Sequence, residues 1–467
     1  MRRPRIVIVG AGFAGFHAAR RLARLARGAA EIVVVNPTDY FLYLPLLPEV
    51  AGGVLDPRRA TVSLIATLRG VRLVLGEAVH VDTGHRLVHY VDPEGTMARL
   101  GYDRLVVAVG SVNKLLPIPG VAQHAHGFRG VPEALYLRDH VTRQIELAAA
   151  AEDPADQVAR CTFVVVGAGY TGTEVVAHGQ CYAEVVARRV GLAPSAVRWL
   201  LLDRADRVLP ELDRRLSRTA ERVLRRRGVD VRPGTSVAAA TADGVALTDG
   251  EFVPTRSLVW CVGVRPDPLV ADLGLPTEQG RLVVDEYLAV PDHPEIVAAG
   301  DAAAVPDLTR PGRLTPMTAQ HAQRQGALAA TNLAAGYGQG RRRRYRHHDL
   351  GFVVDLGGAQ AAADPFGVPL SGPLAKAVTR TYHLLALPAN RARVAGDWLL
   401  DATQGRQSVQ LGLAHAATVP LDTASPELPG IGPAESTGPG YGRPSAAGTR
   451  APAGPPSSPR RRPRRPA

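Results

Sequence analysis

The residues best placed to do chemistry are six glycines in two turns of the same spacing. Gly10, Gly12 and Gly15 follow the apolar run RIVIV, and Gly167, Gly169 and Gly172 follow TFVVV. In both places a short, largely β-branched strand enters a tight turn that opens a helix. Glycine allows the turn, lets a pyrophosphate approach the backbone, and lets the helix sit close on the strand. The free N–H groups at the helix start then hold the phosphate charge. One GxGxxG is a weak signal. Two of them, each between a strand and a helix, predict two bound dinucleotides. Phe13 and Ala14 fill the variable positions of the first turn, and Tyr170 and Thr171 those of the second.

The ends of the neighbouring strands carry further candidates. EIVVVN ends at Asn36, where such a fold usually has an acid that accepts from the ribose hydroxyls. Asn36 can hydrogen-bond a ribose but brings no charge. VRWLLLD ends at Asp203, which favours the unphosphorylated nicotinamide dinucleotide, while Arg204 beside it suits a 2′-phosphate. Gly110 closes YDRLVVAVG, and HPEIVAAGD brings Gly300 and Asp301 after another apolar run.

This order of signals is that of one nucleotide domain interrupted by another. The expected fold is α/β, with two Rossmann-like dinucleotide-binding domains, one inserted in the other, and a C-terminal region. Residues 1–115 and 290–340 form the first domain, 116–160 a connecting helical segment, and 161–289 the second domain. Residues 341–415 form an amphipathic region. There LAKAVTRTYHLLALP puts Leu374, Val378, Tyr382 and Leu385 on one helical face, with Lys376 and Arg380 elsewhere. Residues 416–467 are rich in Pro, Gly and Arg and too poor in large apolar residues to offset ordering entropy, so they are expected to be disordered.

A length of 467 residues with 46% hydrophobic content suits two or three domains with their own cores. The start, MRRPRIVIVGAGFAG, flows into the glycine turn and reads as a core strand rather than a secretion signal. No apolar run is long enough to span a bilayer, so the body is expected to face the cytoplasm. Cys161, Cys181 and Cys261 form no CxxC or CxxxxC pair, which leaves neither a metal site nor a vicinal dithiol. His347 and His348 are adjacent and point apart, and with His17 and His321 they suggest no metal site. Much of the net charge of +12 sits in Arg341–Arg344 with Arg346 and in the stretch from Arg460 to Arg465. Such runs are solvated faces or contacts to anionic lipid or nucleic acid. The tail has only Tyr441 for base stacking, so no specific nucleic-acid partner is expected.

The two glycine turns, DYFLYLPLLPEVAGG (Asp39–Gly53), Glu174, Ala299-Gly300-Asp301 and TAQHAQRQG (Thr318–Gly326) resemble the two-dinucleotide flavoprotein oxidoreductases. Within them they resemble the type II NADH:quinone oxidoreductases, over about residues 5–415. The resemblance implies FAD along Gly10, Gly12, Phe13, Ala14, Gly15, Asn36, Pro45, Val79, Gly110, Gly300, Asp301 and Ala319. It implies NADH along Gly167, Gly169, Tyr170, Thr171, Gly172, Asp203 and Gly263. Glu174 and Gln320 are the catalytic candidates. Glu174 would lie near the nicotinamide, as a proton carrier or, in the first turn of its helix, as a partner of the helix dipole with a positioning role. Gln320, with Ala319, would border the flavin and the quinone entrance. Arg324 stands where family members carry the last glutamine of AQxAxQ.

The implied function is an FAD-dependent NADH dehydrogenase that delivers electrons to a membrane-dissolved quinone without proton pumping. Residues 341–415 match the family's C-terminal membrane-associating region in position and would hold the protein on the anionic inner face of the cell membrane, with Lys376, Arg380, Arg391 and Arg393 meeting its lipid. A second copy of the chain would be a further partner. Two other functions fit the same residues: a soluble NAD(P)H-dependent flavoprotein reductase with a protein or other non-quinone acceptor, and a flavin- and NAD-responsive redox sensor binding anionic partners. Steady-state NADH turnover separates enzyme from sensor.

Overall fold

A computed structural model describes residues 3–26 and 28–421. The first sheet has the strand order Ala289–Val290, His293–Ala298, Arg104–Val107, Arg5–Val9, Glu31–Asn36 and Arg72–Leu75. Its strands are parallel except for Ala289–Val290 at the edge. Ile6, Val7, Ile8, Val33, Val34, Leu105 and Val106 are sealed from water. Unbroken apolar runs are what a parallel sheet covered on both faces requires. The first glycine turn opens the helix Phe13–Leu25, on which Ala319–Ala335 packs.

The second sheet runs Ala125–His126, Leu258–Trp260, Thr162–Val166, Arg198–Asp203 and Asp230–Pro233, all parallel. The helix Tyr170–Arg189 follows its glycine turn. Its edge strand Ala125–His126 comes from the segment expected to be only a helical connector. The chain enters and leaves this domain through two strands paired to each other, Ser111–Asn113 antiparallel to Val264–Pro266. The second domain was expected to reach residue 289. Instead Arg281–Val283 pairs with Ala303–Ala304, and Ala289–Val290 joins the first sheet. The short, turn-rich stretch after Pro266 has no helical or strand period that would have assigned it.

Beyond residue 350 the strands Val353–Asp355, Ala361–Ala363 and Leu370–Ser371 form an antiparallel sheet, followed by the helices Gly372–Ala386 and Arg391–Gln404. The chain then lies along the second domain, where the N–H of Gly412 donates to Asp139 Oδ2 at 2.8 Å. Residues 416–421, expected to begin the disordered tail, are packed. Val419 is buried with Tyr136 and Ala414, and Leu421 joins the core around Trp260. Isolated apolar residues in a polar stretch carry no periodic signal, which is why the sequence hides this anchor. Residues 422–467, the rest of the expected tail, lie outside the described residues.

The crossing of Phe13–Leu25 by Ala319–Ala335 depends on Gly326, where a Cβ would run into the backbone of Ala14. Gly326→Val should force the two helices apart at a cost of about 1–3 kcal/mol. Calorimetry of the purified variant should show a lower midpoint, and an unchanged midpoint would mean that this contact is slack.

Candidate active site

Both glycine turns open into one cavity of about 1630 Å³. That exceeds the usual volume for one ligand, roughly 300–1000 Å³. Gly10, Gly12, Phe13, Ala14, Asn36, Pro45, Gly110, Gly300, Asp301, Ala319 and Gln320 line it, as do Gly167, Gly169, Tyr170, Thr171, Glu174, Asp203 and Gly263. Gly15, Gly172 and Val79 do not. A Cβ on Gly15 would strike the carbonyl oxygen of Gly10, and one on Gly172 that of Gly167. These two glycines therefore seat helices on turns rather than touch a ligand. Val79 sits at a register shift between Ala78 and His80, and its neighbours Glu77 and Ala78 line the wall instead.

The two turns are built alike. Gly10 (φ 90°) and Gly167 (φ 105°) take backbone conformations that favour glycine, whereas Gly12 and Gly169 have no atom within 4 Å of where a Cβ would stand. That open space beside the helix-start N–H groups fits a pyrophosphate at each turn. Asn36 Oδ1 accepts from the N–H of Ala11 at 2.7 Å, and its Nδ2 donates to the carbonyl of Thr38 at 2.9 Å. Asp203 accepts from the N–H groups of Ala168 and Ala205 at 2.5 and 2.7 Å. Each strand-end residue thus locks its glycine turn. Arg204 also lines the cavity.

Ser111 Oγ donates to Asp301 Oδ2 at 2.7 Å, and burial pushes the Asp301 carboxyl above its ordinary pKa. Gln325, which sequence reasoning missed, holds the Gly300 N–H through Oε1 at 2.8 Å.

The cavity's third wall is the helix Gly372–Ala386, through Ala377, Val378, Thr381, Tyr382 and Leu385, a stripe at helical spacing. Gln320 faces it with its amide already engaged. Gln320 Oε1 accepts from His347 Nε2 at 2.7 Å and from the N–H of Leu350 at 2.9 Å. Arg324 turns back onto its own helix, Nη1 donating to the carbonyl of Gln320 at 2.9 Å.

Glu174 is the fifth residue of its helix and not in the first turn, so the helix dipole does not explain it. Its Oε1 accepts from the N–H of Asp355 at 2.8 Å, and burial raises its pKa well above the carboxylate range. Behind it lies a buried cluster absent from the sequence reading. Lys376 Nζ is paired with Asp355 and lies 3.8 Å from Glu49 Oε1. His178 Nε2 is 3.3 Å from Asp355 Oδ1, and Trp398 Nε1 donates to Glu49 Oε2 at 2.6 Å. Glu49, His178 and Asp355 converge closely enough to offer a metal three ligand atoms, but the ammonium of Lys376 already supplies the positive charge there. Burial opposes ionisation of Asp355, yet His178 and Lys376 outweigh it and hold the carboxyl well below its ordinary pKa. Lys376 was expected to meet anionic lipid and is instead in the core. Arg380 lies over the Trp398 ring, 4.7 Å from its centre.

Burial pushes Cys261 up to about 12 and raises Cys161, and all three cysteines are free.

The sequence profile of the pyridine nucleotide-disulphide oxidoreductases matches residues 4–326, and the chain belongs to that family. Within it the chain falls among the type II NADH:quinone oxidoreductases. It is 31% identical to the type II NADH:quinone oxidoreductase NdhA of Mycobacterium tuberculosis over 89% of this chain and 92% of the relative. It is 30% identical to the demethylphylloquinone reductase NdbB of Synechocystis over 85% of this chain and 98% of that one. The NDH2 structure of Plasmodium falciparum in complex with NADH shares the fold, with a TM-score of 0.81 at 17% identity, over 87% of this chain and 100% of that one.

Burial, reinforced by Asp355, raises Glu49 from 4.5 to about 7. The folded protein therefore holds this proton more tightly than the unfolded chain. Its stabilising contribution is full below the unfolded pKa and is lost as pH rises through the folded one. Glu49→Gln removes the titration and keeps an acceptor for Trp398. Between pH 4.5 and about 7 the variant should gain thermal stability relative to the wild type as pH rises. A constant difference in melting midpoint across that range would refute the shift.

Proposed function

We propose that this protein is an FAD-dependent NADH dehydrogenase that passes electrons from NADH through flavin to a quinone, without proton pumping. One observation carries the reading. The two pyrophosphate cradles and an apolar third wall share a single cavity, so donor, flavin and acceptor can meet without a protein nucleophile. Relatives named for NADH:quinone and demethylphylloquinone reduction support the donor and the class of acceptor. Bound FAD would supply the hydride and two-electron chemistry between NADH and the acceptor. The protein supplies position and protons. Gly10–Ala14 with Gly300 and Asp301 hold FAD, and Gly167–Thr171 with Asp203 hold NADH. Glu174, whose high pKa favours the protonated form, keeps a proton in the cavity wall beside the nicotinamide. Gln320 acts by fixing residues 347–351 against the acceptor end of the cavity.

A quinone dissolved in the bilayer has to reach the third wall from the membrane. Among the described residues no helix is long and apolar enough to cross one. Phe366, Leu374, Leu385 and Leu399 are all 63% or more exposed around the helices Gly372–Ala386 and Arg391–Gln404. This supports contact with the membrane surface, with Arg391 and Arg393 left to meet anionic headgroups once Lys376 and Arg380 are turned inward.

Gly12→Val places a branched side chain where the pyrophosphate would come without touching the protein itself. The variant should fold and purify colourless, and a yellow preparation with full flavin content would remove FAD from the first turn. For the acceptor, Leu374→Glu with Leu399→Glu should release the protein from anionic vesicles. Burying each leucine contributes about 1.5–3 kcal/mol, so quinone turnover in vesicles should fall roughly tenfold or more. Turnover with a water-soluble dye should persist. Equal loss of both activities in a folded variant would favour a reductase with a soluble acceptor.

A further inference from the structure

We propose that His321 is a positioning residue for acceptor turnover: from outside the cavity it fixes residues 345–350, which frame the mouth through which a quinone enters. The proposal rests on the quinone reading of this end of the cavity. Leu350 and Phe366 line the cavity and are also 36% and 79% exposed, so here it meets the outside. The N–H of Phe366 donates to the carbonyl of Leu350 at 3.0 Å, which makes the two residues one rim. An apolar rim suits an acceptor that is itself apolar. The position of this rim depends on residues 341–352, which form neither helix nor strand. A stretch outside any helix or sheet ladder has to find bonds elsewhere, and here side chains supply several of them.

Those side chains come from the helix Ala319–Ala335. Asn332 exchanges hydrogen bonds with the backbone of Arg343 at 2.8 and 2.9 Å, and Gln320 holds His347 and Leu350. Next to Gln320 stands His321, which is buried and does not line the cavity. Its Nδ1 lies 2.7 Å from the phenol oxygen of Tyr345. Its Nε2 lies 3.0 Å from Asp349 Oδ1, a charge contact rather than an aligned hydrogen bond. One ring thus reaches both ends of the stretch. Burial lowers the pKa of His321 and raises that of Tyr345, so the ring is neutral and the phenol keeps its proton. Tyr345 then donates to Nδ1, which leaves the ring proton on Nε2, facing the carboxylate. From Phe352 onward the chain is held independently. The N–H of Phe352 donates to Asp364 Oδ1 at 2.5 Å, and its ring stacks on Tyr170 with centres 5.4 Å apart. Loss of the imidazole therefore loosens the rim at Leu350 and leaves the NADH side in place.

The test compares wild type, His321→Leu, His321→Gln, Tyr345→Phe and Asp349→Asn as full-length, flavin-loaded proteins. KM and kcat are measured for a short-chain ubiquinone analogue at saturating NADH, and separately for NADH with ferricyanide as acceptor. A hydrogen bond is worth a factor of about 2–10, so loss of both contacts in His321→Leu should raise the quinone KM roughly 5- to 50-fold. His321→Gln, whose amide still reaches towards Asp349, should raise it less. In the His321→Leu background, Asp349→Asn should add nothing, because the pair is already broken. The KM for NADH and turnover with ferricyanide should be unchanged. An unchanged quinone KM in folded His321→Leu with full flavin overturns the proposal. Quinone and NADH KM values that rise together overturn it too, since the histidine would then support the fold at large. Should His321→Leu not fold, Tyr345→Phe and Asp349→Asn decide. A raised quinone KM in both at an unchanged melting midpoint supports the assignment, and an unchanged KM in either refutes it. A wild type that reduces ferricyanide but no quinone would instead refute the quinone reading, and the proposal falls with it.

Discussion

The ammonium of Lys376 holds together three parts of the chain that are remote in sequence. It meets Asp355 from the C-terminal sheet and Glu49 from the segment Leu47–Ala51, and Asp355 is bound in turn to His178 and Glu174 on the helix of the second domain. A buried charge set of this kind is weak evidence of stability, since desolvation offsets much of the attraction. What it does supply is geometry. Removing one member strands the others in an apolar setting, so the helix Gly372–Ala386 has one acceptable seat. That helix is the third wall of the cavity, and the shape of the acceptor end follows from where Lys376 has to go.

The two dinucleotide cradles show how one construction yields two electrostatic settings. In each, the residue ending the second strand accepts a hydrogen bond from the residue inside the glycine turn, Ala11 to Asn36 and Ala168 to Asp203. The geometry is the same and the charge is not. Asn36 brings no carboxyl group to its turn, whereas Asp203 brings one to the other, next to the exposed guanidinium of Arg204. Two anionic cofactors are thus met by different charge patterns on one repeated frame, and the bridging strands Ser111–Asn113 and Val264–Pro266 fix the frames to each other.

Much of this was legible in the sequence where the signal is local. Apolar runs ending in glycine gave both sheets' central strands and both turns, because a buried parallel strand has to be continuously apolar and a turn against a phosphate has to lack a Cβ. The distant partnerships were not legible. Glu49, Asp355 and Lys376 lie far apart in the chain, and a lysine on an amphipathic helix looks solvated until a buried carboxylate faces it. Glu174 was placed in the first turn of its helix, but with the helix starting at Tyr170 it falls just past that turn. Gln320 was read as bordering the flavin and the quinone entrance, and nothing in its own neighbourhood announces that His347 and Leu350 will claim its oxygen. Gln325 was missed for the same reason, being an ordinary polar residue until folding buries it.

The inward turn of Lys376 and Arg380 also changes the physics expected at the outer surface of the C-terminal helices. A face bearing four free cations would be held to anionic lipid chiefly by charge, a contact that salt screens over about 10 Å at 0.1 M. With Lys376 paired to Asp355 and Arg380 held over Trp398, only Arg391 and Arg393 of the four remain exposed there. The exposed leucines and Phe366 become the larger resource, and burial of apolar area is not weakened by moderate salt. Adhesion in this reading is mainly hydrophobic, with Arg391 and Arg393 orienting the surface rather than holding it. Such adhesion would suit an acceptor that arrives from the hydrocarbon, because the helix that bears exposed Leu374 and Leu385 also lines the cavity through Val378, Tyr382 and Leu385.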